Sequence, residues 1–225
     1  DYILDGKLSN PINMPITDMA ELKKIKPHID LSQTLGNIQR QLSSSAIKSV
    51  SIECFGSIED SKPIALSFLI GLFHDMTDNR INFVNAGVIA EERGISFSHS
   101  ISSVQVPFSN LIVANVKTQD KIIEIAGSIF GDNYTRIVDI MGYQIDFHPE
   151  GNMLFVENKD VPGVIGKVGM MLGENNVNIG EYLLSREKNI EFAYSVIKVD
   201  GQIDERLIKK LLEIDDIIDV RQICV

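Results

Sequence analysis

Residues 153–180 change hydrophobic period partway along, and few folds accommodate such a change. Met153-Leu154-Phe155-Val156 is an apolar run of strand length. Polar residues Glu157 to Asp160 follow, then the pair Pro162-Gly163. From there Val164, Ile165, Val168, Met171 and Leu172 recur at helical spacing. A proline just ahead of the first turn suits a helix start, because its missing N–H is one the helix leaves unpaired anyway. Gly173 and the run Glu174-Asn175-Asn176 tolerate the left-handed backbone that ends helices. Val177-Asn178-Ile179 then opens a second strand.

A strand that feeds a helix through a tight loop points several unpaired backbone N–H groups at one spot, which favours an anion such as a carboxylate. Asp160 beside that spot is suited to an ammonium group, and Asn178 offers both a donor and an acceptor. A carboxylate site next to an ammonium site describes an amino acid. The plainer readings are a helix-capping acid for Asp160 and a strand-end turn former for Asn178. The remaining segments continue the pattern: a strand Ile179–Arg186, a turn at Lys188-Asn189, a strand Glu191–Val199, a helix Ile203–Leu212 and a last strand Ile217–Val225.

Earlier in the chain, Asp1 to Gly6 reads as a helix tail and Lys7 to Pro15 as a loop. Asp18–Ile25 reads as a short helix stopped by Pro27. Asp30 then caps a helix Leu31–Leu42, with Leu31, Leu35, Ile38 and Leu42 on one face. Val50–Phe55 alternates as a strand, and the apolar Pro63–His74 reads as a buried helix. Ile81–Arg93 reads as another, with Gly94 as its cap. Strands follow at Ile95–Ser102, Asn110–Thr118, Lys121–Phe130, Thr135–Met141 and Tyr143–His148. Pro149 to Asn152 reads as a linker.

The 225 residues are 44% hydrophobic, ample for packed cores. A net charge of −10 excludes a phosphate-neutralising face and so argues against nucleic acid. No apolar run has the length of a membrane span, and no signal peptide opens the chain, so a cytoplasmic protein is expected. Cys54 and Cys224 sit in apolar strands without metal-ligand spacing and read as buried free thiols in a reducing compartment. His28, His74 and His99 are scattered. His74 and Asp78 share a helical face, but a helix-end histidine is the simpler reading, and no metal is expected. Asp215, Asp216 and Asp219 read as a solvated loop. The chain opens without methionine inside a helical pattern, so a piece of a longer protein is expected.

The D-x-P-G turn, the glycine-spaced helix and the Val-Asn-Ile strand resemble an ACT domain, a small regulatory module of amino-acid metabolism. NPINMP, VNAGVIAEERGI, AGSIFG and RIVDIMGYQIDF resemble the intervening, allosteric substrate-binding domain of long-form D-3-phosphoglycerate dehydrogenase. The resemblance covers essentially the whole chain. It implies an α/β (α+β) architecture: residues 1–15 a hinge from an upstream catalytic core, 16–149 a mixed α/β intervening domain, and 151–225 a βαββαβ ferredoxin-like ACT domain.

The family oxidises 3-phosphoglycerate with NAD in the first step of serine synthesis, often under inhibition by L-serine. The resemblance therefore implies L-serine as effector, bound between ACT domains of a homo-oligomer. The residues implied are Asp160 and Asn178, the backbone of Val161, Gly163, Val164 and Ile165, and Asn158 at a position that is aromatic in some relatives. It also implies a candidate anion site at Arg136 and His148. No catalytic residue is expected in this stretch, and no cofactor: G-x-G-x-x-G after a strand is missing, and Gly163, Gly166 and Gly169, spaced by three, read as close packing of a helix on a sheet. NAD belongs to the upstream domains. Two other readings stand beside this one. The first is a regulatory chain like that of L-serine dehydratase, which needs more cysteines for its iron–sulfur cluster than the two present here. The second is a free-standing amino-acid-binding or assembly module.

Overall fold

A computed structural model describes residues 19–76, 80–131, 133–186 and 191–225, with side chains from residue 23 onward. The described residues form two compact units that part between Met141 and Gly142. The expected hinge at 1–15, Asp78 and the Lys188-Asn189 turn lie outside the described residues.

The first unit contains α1 (Met19–Leu42), β1 (Ile47–Gly56), α2 (Lys62–Leu72), α3 (Ala86–Glu92), β2 (Ser96–Ser102), β3 (Asn110–Thr118), β4 (Ile122–Phe130) and β5 (Tyr134–Ile140). Its strands lie in the order β2-β1-β3-β4-β5, with β1 and β2 parallel and the other neighbours antiparallel. The parallel pair needs a crossover, which α2 and α3 supply. Helices α1 and α2 cover one face, where Leu31, Leu35, Ile38, Ile64, Phe68 and Leu72 are almost fully buried.

The helix pair is locked by sterics and by hydrogen bonds. A Cβ on Gly36 would strike the Phe68 carbonyl, and one on Gly71 the Gln33 carbonyl, so only glycine permits this approach. Ser32 Oγ donates to the Ile64 carbonyl at 2.8 Å, and Ser67 Oγ returns a bond to the Ile29 carbonyl at 2.7 Å. Gln39 Nε2 ties α1 to the sheet by donating to the carbonyls of Ala114 at 2.7 Å and Ile123 at 3.1 Å.

Two sequence expectations change here. Pro27 does not stop a helix: α1 runs unbroken from Met19 to Leu42. The ring removes one N–H bond near the exposed N-terminal end, and packing of the later turns on α2 outweighs that loss. Asp30 accordingly lies inside the helix, paired with Lys26, instead of capping a new one. Helix α3 is also shorter than the expected 81–93. Asn82 Oδ1 accepts from the amides of Val84 and Asn85, and Asn85 Oδ1 accepts from the amide of Asn82. These side chains offer the backbone a turn in place of helix. Gly94 does take the left-handed backbone expected of it, at φ 68°.

The second unit contains β6 (Tyr143–Phe147), β7 (Asn152–Lys159), α4 (Val164–Glu174), β8 (Ile179–Arg186), β9 (Phe192–Val199), α5 (Glu205–Leu212) and β10 (Ile217–Cys224). From β7 onward the order is βαββαβ, and the strands form an antiparallel sheet in the order β10-β7-β9-β8. Leu154, Val156, Ile197, Val199 and Val220 meet Val164, Val168, Leu172, Leu207 and Leu211 in one core. Asp204 caps α5 by accepting the Arg206 amide at 2.9 Å. On the other sheet face, Tyr143 stacks on Tyr194 at 5.4 Å between centroids, and Phe147 meets Phe155 edge-on. The whole is a mixed α/β unit followed by a ferredoxin-like α+β unit.

Cys54 is buried, but Cys224 is exposed, contrary to expectation. It falls at the end of β10, an edge strand that has no neighbour on its outer side within its sheet. Asp219 also leaves the expected loop, lying on β10 with its carboxylate on Arg221 Nε at 2.9 Å. No described helix is long and apolar enough to cross a membrane.

Candidate functional site

The start of α4 carries the features read from the sequence. Strand β7 is held to its end: the Lys159 amide donates to the Asp216 carbonyl and the Asp160 amide to the Glu191 carbonyl, each at 2.8 Å. The chain then turns sharply, with the Val161 amide bonding back to the Lys159 carbonyl at 2.9 Å. Gly163 takes φ 96°, a left-handed value that glycine adopts freely, and it caps the helix without any side-chain hydrogen bond. The first intrahelical bond runs from the Lys167 amide to the Gly163 carbonyl. The amides of Val164, Ile165 and Gly166 therefore have no intrahelical acceptor, and no acid lies in the first turn. Val164 is buried and pins the turn to the core, whereas Val161 and Ile165 are 42% and 50% exposed.

Asp160 is the nearest charge. Its Oδ2 lies 3.4 Å from Arg186 NH1, at the end of β8. Sequence reasoning missed Arg186, because what joins the ends of β7 and β8 is strand register across β9. The pair is loose and largely exposed, worth at most about 1 kcal/mol, so an incoming cation can compete for the carboxylate.

Asn158 is 2% exposed, on the helix-bearing face of β7 at the end where α4 begins. Its Nδ2 donates to the Lys159 carbonyl at 2.7 Å, while its Oδ1 has no partner among the described residues. On the same face Tyr182 and Ser195 bring their hydroxyls together without a well-directed hydrogen bond. Burial pushes the Tyr182 phenol above its usual range, with Ser195 opposing.

Asn178 is elsewhere. It is exposed, donates through Nδ2 to Asp200 Oδ2 at 2.9 Å, and accepts the Asp200 amide on its carbonyl at 3.2 Å. On β9, Lys159 pairs with Phe192, and Ile179 pairs with Val199. Asp160 and Asn178 thus flank opposite ends of β9, roughly 23 Å apart at strand rise. One copy of the chain cannot bring both to one small ligand.

The glycine spacing does not mark tight packing either. A Cβ on Gly166, Gly169 or Gly173 meets nothing within 4 Å among the described residues. The three glycines leave the outer face of α4 open. No G-x-G-x-x-G motif occurs in the sequence.

The other candidates fall on other elements of the chain. Arg136, on β5 of the first unit, donates to Tyr134 Oη at 3.3 Å with its guanidinium 5.5 Å above that ring. His148, in the second unit, faces the Glu150 carboxylate at 3.5 Å. His74 pairs with Asp75 at 2.9 Å. No cluster of three metal-ligating side chains occurs among the described residues. Asp216 pairs with Lys167 at 2.6 Å, which raises the lysine pKa.

Comparison with known proteins agrees with this architecture. Residues 24–141 match the D-3-phosphoglycerate dehydrogenase intervening domain, and residues 152–216 match the ACT domain. The chain is 32% identical over 214 residues to D-3-phosphoglycerate dehydrogenase of Bacillus subtilis, covering 94% of this chain and 41% of that protein. It is 32% identical over 221 residues to the Methanocaldococcus jannaschii enzyme, covering 97% and 42%. For the Archaeoglobus fulgidus enzyme the values are 30% over 215 residues, covering 93% and 40%. The chain thus spans about two fifths of the length of these relatives, as 40–42% coverage states. A mixed α/β unit followed by a βαββαβ unit, matched in order by these two domains, places the chain in the D-3-phosphoglycerate dehydrogenase family as its intervening and ACT domain region.

Proposed function

We propose that this chain is the effector-sensing region of an NAD-dependent D-3-phosphoglycerate dehydrogenase, and that it binds L-serine between two ACT domains. The observation that carries the reading is the α4 start, where three amides without intrahelical acceptors stand beside an acid. The amides of Val164 and Ile165, ordered by Gly163 and Val161, receive the effector carboxylate. Asp160 takes its ammonium group in exchange for Arg186. Asn178 comes from a second copy, because its own lies at the far end of the sheet. Asn158 supports the loop from beneath, its Nδ2 holding the Lys159 carbonyl. Oxidation of 3-phosphoglycerate with NAD belongs to upstream catalytic domains of the parent protein, and none of the residues described here takes part in it. Effector binding and the state of those domains influence each other reciprocally.

Titration calorimetry of the chain with L-serine, D-serine, glycine and 3-phosphoglycerate tests the reading. Stereoselective serine binding, lost in Asp160→Ala and in Asn178→Ala, is expected. Equal mixing of the two variant chains restores about one quarter of the sites, if each site draws on two copies and the chains exchange at random. Silence towards every amino acid by a folded chain overturns the reading.

A further inference from the structure

Strand β2 is the edge of the first unit's sheet, and its sequence is Ser96-Phe97-Ser98-His99-Ser100-Ile101-Ser102. Read in either direction from His99, the strand alternates serine and a non-serine residue in the same order. Its partners on β1 fix the faces: Phe97, His99 and Ile101 lie beside Val50, Ile52 and Cys54, which are buried. The four serines share the other face with Ser49, Ser51, Glu53 and Phe55. His99 is held in place by Ser61, whose Oγ lies 2.9 Å from Nδ1. Phe97 stands 6.0 Å from the His99 ring.

An open strand edge is a row of unpaired backbone donors and acceptors, and proteins ordinarily blunt it with charges, proline or a bulge. Strand β2 has none of these between Ser96 and Ser102. No backbone group outside β1 bonds to it among the described residues. The edges of the second unit's sheet differ. Strand β8 carries Glu181, Arg186 and a register break at Ile179/Glu181, and β10 carries Asp219, Arg221 and a break at Ile217/Asp219.

We propose that β2 is a docking edge for a second copy of this chain, the two strands pairing antiparallel about a two-fold axis at His99. In an antiparallel pair, opposed residues point to the same face. The register centred on His99 sets Ser96 against Ser102, Phe97 against Ile101 and Ser98 against Ser100. A shift by one residue would oppose serines to the apolar set, and a shift by two would leave Phe97 or Ile101 against His99. The strand is self-complementary in this register alone.

Seven paired residues bury less than the ~1,200 Å² that a specific interface needs. The remaining apolar surface is at hand. Ile101 and Val104 are 46% and 64% exposed on β2 and the loop leaving it. Val84 and Val88, 63% and 52% exposed, precede and occupy α3, which packs against β2. The two-fold places both copies of α3 on one face of the joined sheet.

This interface is separate from the serine site, and cysteine cross-linking tests it without reference to amino acids. In the 225-residue chain carrying Cys224→Ala, mild oxidation of His99→Cys is expected to yield a covalent dimer. Ser96→Cys and Ser102→Cys chains are expected to link to each other when mixed and not to themselves. Self-pairs at those positions stand roughly 20 Å apart at strand rise, beyond the ~7 Å Cα limit of a disulfide. Ile101→Lys should remove one step of association in sedimentation while serine calorimetry stays unchanged. Folded variants that fail to link at 99 and in the 96/102 mixture, or that self-link at 96, overturn the proposal. Loss of serine binding with intact cross-linking would instead count against the effector site alone.

Discussion

The two units treat their helices in opposite ways. In the first, α1 and α2 approach so closely that Gly36 and Gly71 admit no side chain, and Ser32 and Ser67 satisfy backbone carbonyls across the joint while Gln39 does so from α1 to the sheet. In the second, α4 presents three glycines and the exposed Ile165 and Met170 to open space, and its first turn has no side-chain cap. Glycine therefore means contact in one helix pair and vacancy in the other, although the sequence shows the same residue. The first joint is packed shut, whereas α4 is left open along its glycines and uncapped by a side chain at its start.

Substitutions can break this contrast. Gly36→Ala drives a methyl into the backbone of α2 and should cost about 3 kcal/mol or more, read as a lower midpoint in denaturant unfolding. Gln39→Ala strips the donor from two buried carbonyls and should cost about 1–3 kcal/mol by the same measurement. Gly169→Ala should move the other way. With nothing within 4 Å of the added Cβ, it removes backbone freedom from the unfolded chain and gains about 0.5–1 kcal/mol. A loss at Gly169 would show that the outer face of α4 is covered in solution.

Two smaller effects sharpen the picture. Burial lowers the pKa of His28 in α1, with a backbone bond at Lys24 pulling upward. The folded chain thus resists protonation while the unfolded chain accepts it near the ordinary histidine pKa of ~6.5. Stability should fall as pH drops through that value, and His28→Gln should flatten the slope. The thiols should separate as well. Cys54 is buried with its pKa pushed up to about 12 by burial and by Asp60 and Glu53, whereas Cys224 is exposed. A thiol reagent should titrate one group per native chain and the second only on unfolding.

Much of this fold was legible in the chain, and the misreadings share a cause. The period change at Pro162-Gly163 is local, so it fixed β7, the loop and α4 and with them the candidate site. Pro27 misled because its local cost is real, yet the burial of Leu31, Leu35 and Ile38 against α2 comes from residues distant in sequence. Asn82 and Asn85 misled in the opposite sense, by side-chain bonds that hydrophobic spacing does not register. Arg186 could not be found, since it reaches Asp160 only through the register of β7, β9 and β8. The separation of Asp160 and Asn178 was hidden for the same reason: residues 18 apart in sequence, joined by one helix, emerge at opposite ends of the sheet.

That separation has a thermodynamic consequence. On the proposed reading, an effector gripped by Asp160 of one chain and Asn178 of another is a molecular tie, so its binding and the joining of chains form a single equilibrium. Apparent affinity for serine should then weaken on dilution of the protein, and added serine should hold chains together at concentrations where they otherwise part. Under that proposal, the concentration of the chain sets its sensitivity to the effector as surely as the residues that grip it do.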